Sequence, residues 1–332
     1  MWVEFLNALR AYRERRVKID VLDHGYVKLI EPWGKGEAGR AIDIGGPVVP
    51  MMVGGNDYEV AIIEAARQST QGSFRGWDPA PCNCDLPDRM QKDVYAIHHR
   101  DACDSIKKPG DRKLLSFLFN NNHSTPFEFA GMTLEIEAPI MVFREWQRHR
   151  TQSYNESSAR YAPIPNKHYV PTVDRIMMGA GGNKQAAAVD GAIPLTRETA
   201  EHWRSMRHLQ QIYTLADEVY QAALESGIPK ELARLVMPVG RYSKMRASAN
   251  LRNWLAFMTL RCDPAAQWEI RQYANAVAEI IRLTFPNTFE LWLNRNLRPF
   301  KVKDIRDLKP EDLRPGAIQM VEKPVDSEGG EL

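Results

Sequence analysis

Apolar and polar residues alternate most clearly where Met132, Leu134 and Ile136 interleave with Thr133, Glu135 and Glu137. That period of two predicts a half-buried strand, which Pro139 interrupts before Ile140–Phe143 leads on. An earlier run, Gly25–Ile30 within Val21–Trp33, predicts a first strand stopping at Pro32. Residues 1–20 predict a short amphipathic helix. Helical spacing of Val60, Ile63 and Ala66 predicts a helix over Asp57–Gln68 with Asp57 as its cap. Further helices are expected over Met90–His98 and Asp111–Asn120. Asn121–Phe129 should be an extended turn, because the residue before Pro126 is disfavoured in a helix. One long helix is predicted from Thr196 to Ser226, capped by Thr196 and ended by Gly227 and Pro229. Its broad apolar face suggests packing on both a sheet and another subunit. A last helix opens at Asp263 and Pro264 and runs to Phe285, before Pro286. Periodicity alone thus gives a mixed protein with helices concentrated in the C-terminal half.

Composition narrows this only a little. The 332 residues are 44% hydrophobic and 26% charged, as in a globular protein. A net charge of +2 gives no global attraction to nucleic acid or membrane, so any anion site must be local. No apolar run approaches the roughly 20 residues that span a bilayer, and Met1–Arg16 has no apolar signal core. A cytoplasmic location is the expectation. The four cysteines are too few for a disulfide framework. Cys82 and Cys84, with His98 and His99 nearby, lack the spacing of a zinc site, so no metal is expected.

The chemistry concentrates in Arg148–Tyr161, which holds three arginines, a histidine, three serines, an asparagine and a glutamate in fourteen positions. A core cannot absorb so many polar groups without partners. Guanidinium forks suit phosphate or carboxylate, so the stretch reads as the wall of a site for a large anionic ligand. A solvated helix face, or a nucleic-acid-binding module, would use the same residues, although the near-neutral charge disfavours the latter. A second constellation comprises Leu232-Ala233-Arg234, Asn250-Leu251-Arg252 and Leu260-Arg261. On sequence alone Arg234 and Arg261 could equally be helix salt bridges.

The fixed positions Arg148-His149-Arg150, Ser153, Asn155, Glu156, Ser158 and Arg160-Tyr161 fill the signature of the flavin-dependent (alternative) thymidylate synthases, which this chain resembles. Asn122-His123 and Thr125-Pro126-Phe127-Glu128 are similar to that family's upstream element, and Gln267-Trp268-Glu269-Ile270 to its downstream one. The resemblance spans roughly Val21–Asn294. It implies an α+β fold, an antiparallel sheet flanked by long helices, in a homotetramer whose sites are shared between subunits. It divides the chain into an N-terminal helical extension (1–20), a catalytic domain (21–300) with insertions near 34–55, 72–105 and 174–195, and a charged mobile tail (301–332).

The implied reaction is reductive methylation of dUMP to dTMP, with methylenetetrahydrofolate as carbon donor, FAD as hydride carrier and NADPH as reductant. The resemblance makes Arg261 the catalytic residue, an electrostatic activator of the pyrimidine ring. It assigns FAD to Thr125, Arg148, His149, Arg150, Glu156, Asn250, Leu251 and Arg252, with His123 and Glu128 as supports. It assigns dUMP to Glu145, Trp146, Gln147, Arg148, Glu156, Ser157, Ser158, Ala159, Arg160, Arg234 and Arg261. Ser158 is read as a hydrogen-bond donor rather than a nucleophile, because no activating base is nearby. Two positions depart from the pattern. Glu145 stands where glutamine is usual, so Arg144 or Arg148 neutralises it or it points to a ribose hydroxyl. Ala256 stands where a polar flavin contact is usual. A flavoprotein oxidising NADPH without methyl transfer is the remaining alternative.

Overall fold

The computed structural model describes residues 17–36, 57–70, 72, 74–77, 110–178, 192, 194–205 and 208–296. The expected Met90–His98 helix, the 301–332 tail and Cys82, Cys84, His98 and His99 lie outside the described residues.

Among the described residues, five strands form one antiparallel sheet in the order β1-β2-β3-β5-β4. They are β1 (Lys18–Val21), β2 (Gly25–Trp33), β3 (Gly131–Pro139), β4 (Ser153–Glu156) and β5 (Tyr242–Asn250). The helices are α1 (Val60–Arg67), α2 (Asp111–Asn120), α3 (Ile140–Trp146), α4 (Val173–Met177), α5 (Arg197–Arg204), α6 (Leu209–Glu225), α7 (Lys230–Ala233), α8 (Leu251–Arg261), α9 (Trp268–Thr284) and α10 (Pro286–Asn296). The fold is α+β.

One face of the sheet is apolar. Met132, Leu134 and Ile136 of β3 and Met245, Ala247 and Ala249 of β5 are buried and join a single core with Trp254, Tyr273 and Ile281 of α8 and α9. The other face carries Glu135, Arg246, and Thr133 against Ser248, whose hydroxyls lie 3.0 Å apart. Helix α9 lies so close to β2 that a Cβ on Gly25 would collide with the Tyr273 hydroxyl and the Glu137 carbonyl.

Several expectations are corrected. Lys18–Val21 is a strand rather than the end of a helix, because it pairs in register with Gly25–Lys28. Strand β2 continues through Pro32 to Trp33. On the β1 side Leu29 N donates to Val17 O at 2.8 Å, and beyond it, among the described residues, β2 pairs only with β3, so a residue without an N–H is tolerated there. Helix α1 starts at Val60, and Asp57 instead accepts from the Trp77 indole N–H. Pro126 opens a 3-10 turn, Thr125–Phe129, rather than an extended segment. The single long helix is two. Thr196 caps α5 as expected, accepting from Thr199 N at 3.1 Å, but the backbone turns extended at Ser205, whose hydroxyl donates to His202 O at 2.6 Å. The last helix begins at Trp268, not Asp263. Pro286 does not end the helical region but opens α10, as its first-turn residue.

Candidate active site

The site grows from the end of α3. Trp146 is fully buried, its ring 4.6 Å from Phe257 and 6.4 and 6.5 Å from Trp254 and Tyr273. Such aromatic pairs add about 0.5–1.5 kcal/mol each beyond their buried area. The indole N–H donates to Gln152 Oε1 at 3.0 Å, and Tyr154 Oη lies 2.7 Å from His149 O and 3.2 Å from Trp146 O. Asn253 Nδ2 donates to Thr151 O at 3.0 Å. The turn between α3 and β4 is therefore tied down from three sides, and it projects Arg148 and Arg150 into solvent while turning His149 inward.

Arg261, the last residue of α8, meets that turn. Its Nε donates to His149 Nε2 at 2.9 Å, one terminal nitrogen to Glu145 Oε2 at 3.0 Å, and the other to the Glu145 carbonyl at 2.9 Å. The guanidinium is only 16% exposed. Burial, reinforced by Arg261 and partly opposed by Glu145, pushes the His149 pKa down to about 4. The imidazole is thus neutral at pH 7. Because Nε2 accepts, its proton sits on Nδ1. Arg148 Nε stands 3.8 Å from Glu145 Oε1. Arg261, with a lesser contribution from Arg148, is therefore the partner of Glu145.

The other expected residues fall into two groups. Asn250 caps α8, accepting from Asn253 N at 3.0 Å, and Arg252 pairs with Glu128. Arg252 borders a cleft of about 310 Å³, whose other walls include His123, Ala256, Trp292 and Arg295. Arg295 lies 4.0 Å above the Phe119 ring and donates to Asn122 Oδ1 at 3.2 Å. Thr125 is exposed at the start of its 3-10 turn. On the far side of β4, Arg160 Nε sits 3.1 Å from Glu231 Oε2, and Arg234 Nε donates to the Glu231 carbonyl at 3.3 Å. Ser158 Oγ accepts from Arg160 N at 3.2 Å, and Ala159 is buried beneath. Gln147 Nε2 donates to Glu156 Oε2 at 3.3 Å, and Ser157 N to Lys244 O at 2.8 Å. Among the described residues no hydrogen bond or ion pair joins Arg160 or Arg234 to Arg148 or Arg261.

Two expected contacts change character. The side chains of Trp146 and Leu251 are fully buried, so neither can touch a ligand except through its backbone; they anchor the turn and the start of α8. Among the described residues no cluster of three or more His, Cys, Asp or Glu is arranged to hold a metal ion, and no helix is long and apolar enough to cross a membrane.

The family model for "Thymidylate synthase complementing protein" matches residues 52–287, most of the chain and all of this site except Trp292 and Arg295 of the cleft wall. The chain belongs to that family, the flavin-dependent thymidylate synthases. It is 34% identical over 212 residues to the flavin-dependent thymidylate synthase of Thermotoga neapolitana, covering 63% of this chain and 89% of that one. It is 39% identical over 199 residues to the Thermus thermophilus enzyme of the same name, covering 60% and 69%. Among solved structures, the UMP/dUMP methylase PolB of Streptomyces cacaoi, bound with 5-Br dUMP, superposes with a TM-score of 0.55 at 27% identity, over 83% of this chain and 97% of that one.

Within a thymidylate synthase family member, the contacts that sequence reasoning missed are those that fix its arginines. Gln152 steadies Trp146 from a position that the signature leaves variable. Glu231 joins Arg160 to Arg234, and its place three residues before Arg234 was the one available signal. Arg295 carried no signal, because α10 was not expected as a helix.

Proposed function

We propose that this enzyme, a methyltransferase by its family, converts dUMP to dTMP, taking the carbon from methylenetetrahydrofolate and the reducing equivalents from NADPH through FAD. The observation that carries the reading is the Arg261 fork, held by Glu145 and His149 beside two solvent-facing arginines. Methylation at C5 needs negative charge on the pyrimidine, developed as its N3 proton leaves. A fixed guanidinium at the ring edge stabilises that charge without reorganising. Arg261 cannot be the base, since guanidinium stays protonated. Arg160, Arg234, Arg148, Ser158 and the Ala159 N–H supply donors for the phosphate. A dianion would compete with Glu231 for the first two.

The cleft beside α8 suits a flavin nucleotide in its chemistry. Phe119, Phe127, Leu255 and Trp292 give an apolar floor, and Arg252 and Arg295 a cationic rim. Thr125, Asn250, Arg150 and Glu156 are further candidate contacts. When bound there, FAD supplies hydride transfer, and the protein's part is to bind, orient and exclude water. Ile212, Leu215 and Val219 of α6 are 59%, 58% and 44% exposed, a row of apolar side chains that supports a homotetramer with shared sites. A cytoplasmic location accompanies this reading.

A second reading is methylation of UMP as well, favoured by the overlap with a UMP/dUMP methylase across nearly its whole chain. One experiment tests both. The purified protein should be yellow, bleach with NADPH, and reoxidise anaerobically on adding methylenetetrahydrofolate plus dUMP, with UMP as a separate arm. A colourless protein that takes up no FAD would refute the proposal. Bleaching without nucleotide-dependent reoxidation would leave an NADPH-oxidising flavoprotein.

A further inference from the structure

Arg261 has five N–H groups, and three of them have partners among the described residues. That leaves one N–H on each terminal nitrogen without a partner among the described residues. Of the three acceptors, two are neutral, the His149 imidazole and the Glu145 carbonyl. The third, Glu145 Oε2, carries charge. Its side chain is 29% exposed, so water screens it only in part. The same residue therefore acts on Arg261 in two opposite ways. It fixes the fork through its carbonyl and carboxylate, and its charge withdraws positive potential from the side that would meet the pyrimidine. A glutamine at this position could offer the same acceptor oxygen without the charge.

We propose that Glu145 is a positioning and tuning residue for Arg261, holding the guanidinium in place while limiting how far it acidifies the bound pyrimidine. This rests on the assignment of Arg261 to the nucleotide ring, and it removes Glu145 from the direct contacts to the nucleotide. The consequence is an electrostatic one. Replacing the carboxylate by an amide strengthens the field of Arg261 at the ring, so the N3 proton of a bound pyrimidine nucleotide leaves at lower pH. Arg261 keeps its other two acceptors, so it stays in place.

The test uses the FAD-loaded full-length protein and 5-fluoro-dUMP, whose 19F resonance reports N3 ionisation free of protein background. The apparent N3 pKa of the bound nucleotide is measured by pH titration in the wild type, Glu145→Gln and Glu145→Asp. A unit charge one side chain from the ring, at an effective dielectric near about 20, predicts a fall of about one to two pH units for Gln. A smaller fall is expected for Asp, whose shorter carboxylate recedes from Arg261. The nucleotide Kd should change by less than about threefold at a pH where N3 is protonated. An unchanged N3 pKa in both variants overturns the proposal, as does a large loss of affinity without a pKa change, the mark of a direct contact. If the wild type does not bind the nucleotide, the dUMP reading itself fails, and that outcome is distinct from a failure confined to the variants.

Discussion

Glu59 offers the sharpest test of how the site is held. It precedes α1 and is fully buried, yet it serves the opposite end of the chain. Its Oε2 accepts from Asn287 N at 3.0 Å and Asn287 Nδ2 at 2.8 Å, and its Oε1 from Thr288 N at 2.6 Å. Asn287 and Thr288 are the second and third residues of α10, so a carboxylate 228 positions away caps that helix. Replacing Glu59 by Ala removes the cap, worth about 1 kcal/mol, orphans the buried Thr288 N–H at about 1–3 kcal/mol, and leaves two half-buried Asn287 donors at about 1 kcal/mol each. Against this stands relief from burying a charge. Burial raises the Glu59 pKa to about 6, although the hydrogen bonds pull it down, which is a penalty of roughly 2 kcal/mol above that pH. The net expectation at pH 7.5 is a loss of about 2–4 kcal/mol. The sign with pH is fixed. A folded pKa raised above the unfolded value means that the native state gains stability as pH falls from about 6 towards 4.5. The gap between wild type and Glu59→Ala should therefore widen by about 1–2 kcal/mol between pH 7 and pH 4.5. Urea unfolding followed by tryptophan fluorescence at both pH values measures it. A gap under about 0.5 kcal/mol, or one independent of pH, would refute the capping argument. Trp292 of α10 walls the cleft and donates to Thr259 Oγ1 at 2.9 Å, so FAD affinity should fall in the same variant.

Three further outcomes are expected. Arg261→Lys places one point charge where a fork spans Glu145 and His149, and nucleotide-dependent flavin reoxidation should slow by about 10²–10³-fold with flavin content unchanged; a loss under tenfold would remove Arg261 from the chemistry. Ala256→Asn returns a polar group to the cleft wall and should tighten FAD by about two- to tenfold in a flavin-fluorescence titration; no change would mean that the flavin lies elsewhere. His168 is buried and stacked on Tyr213 at 4.3 Å, and burial, then Arg241, lowers its pKa to about 4. A depressed histidine pKa stabilises the fold fully above about 6.5 and loses that contribution as pH falls towards 4, by about 1–2 kcal/mol after allowance for solvent screening. His168→Gln should flatten this part of the stability profile in thermal melts at pH 7 and 5, and an unaltered slope would assign the acid sensitivity to other groups.

What the sequence made legible follows from the range over which each signal acts. Strand β3 was readable because alternation is local, and its apolar set does face the core. The break between α5 and α6 was not, because apolar spacing continues across Ser205 while local hydrogen bonds turn the chain, from the Ser205 hydroxyl and N–H to His202 O and from His208 N to Ser205 O. Pro286 was read as a stop because proline cannot continue a helix. That it starts one depends on Glu59, which no local window contains. The same division runs through the site. The signature Arg148–Tyr161 identified the family from residue types in order, but order does not say which arginines are already satisfied. Glu145 and Arg261 are 116 positions apart, and their contact, together with that of Arg261 to His149, distinguishes a guanidinium held by the protein from Arg148 and Arg150, which face solvent. The structure therefore alters the meaning of the Glu145 departure. A carboxylate that would repel a phosphate if it faced the nucleotide becomes, turned towards Arg261, the group that sets how strongly that arginine can act.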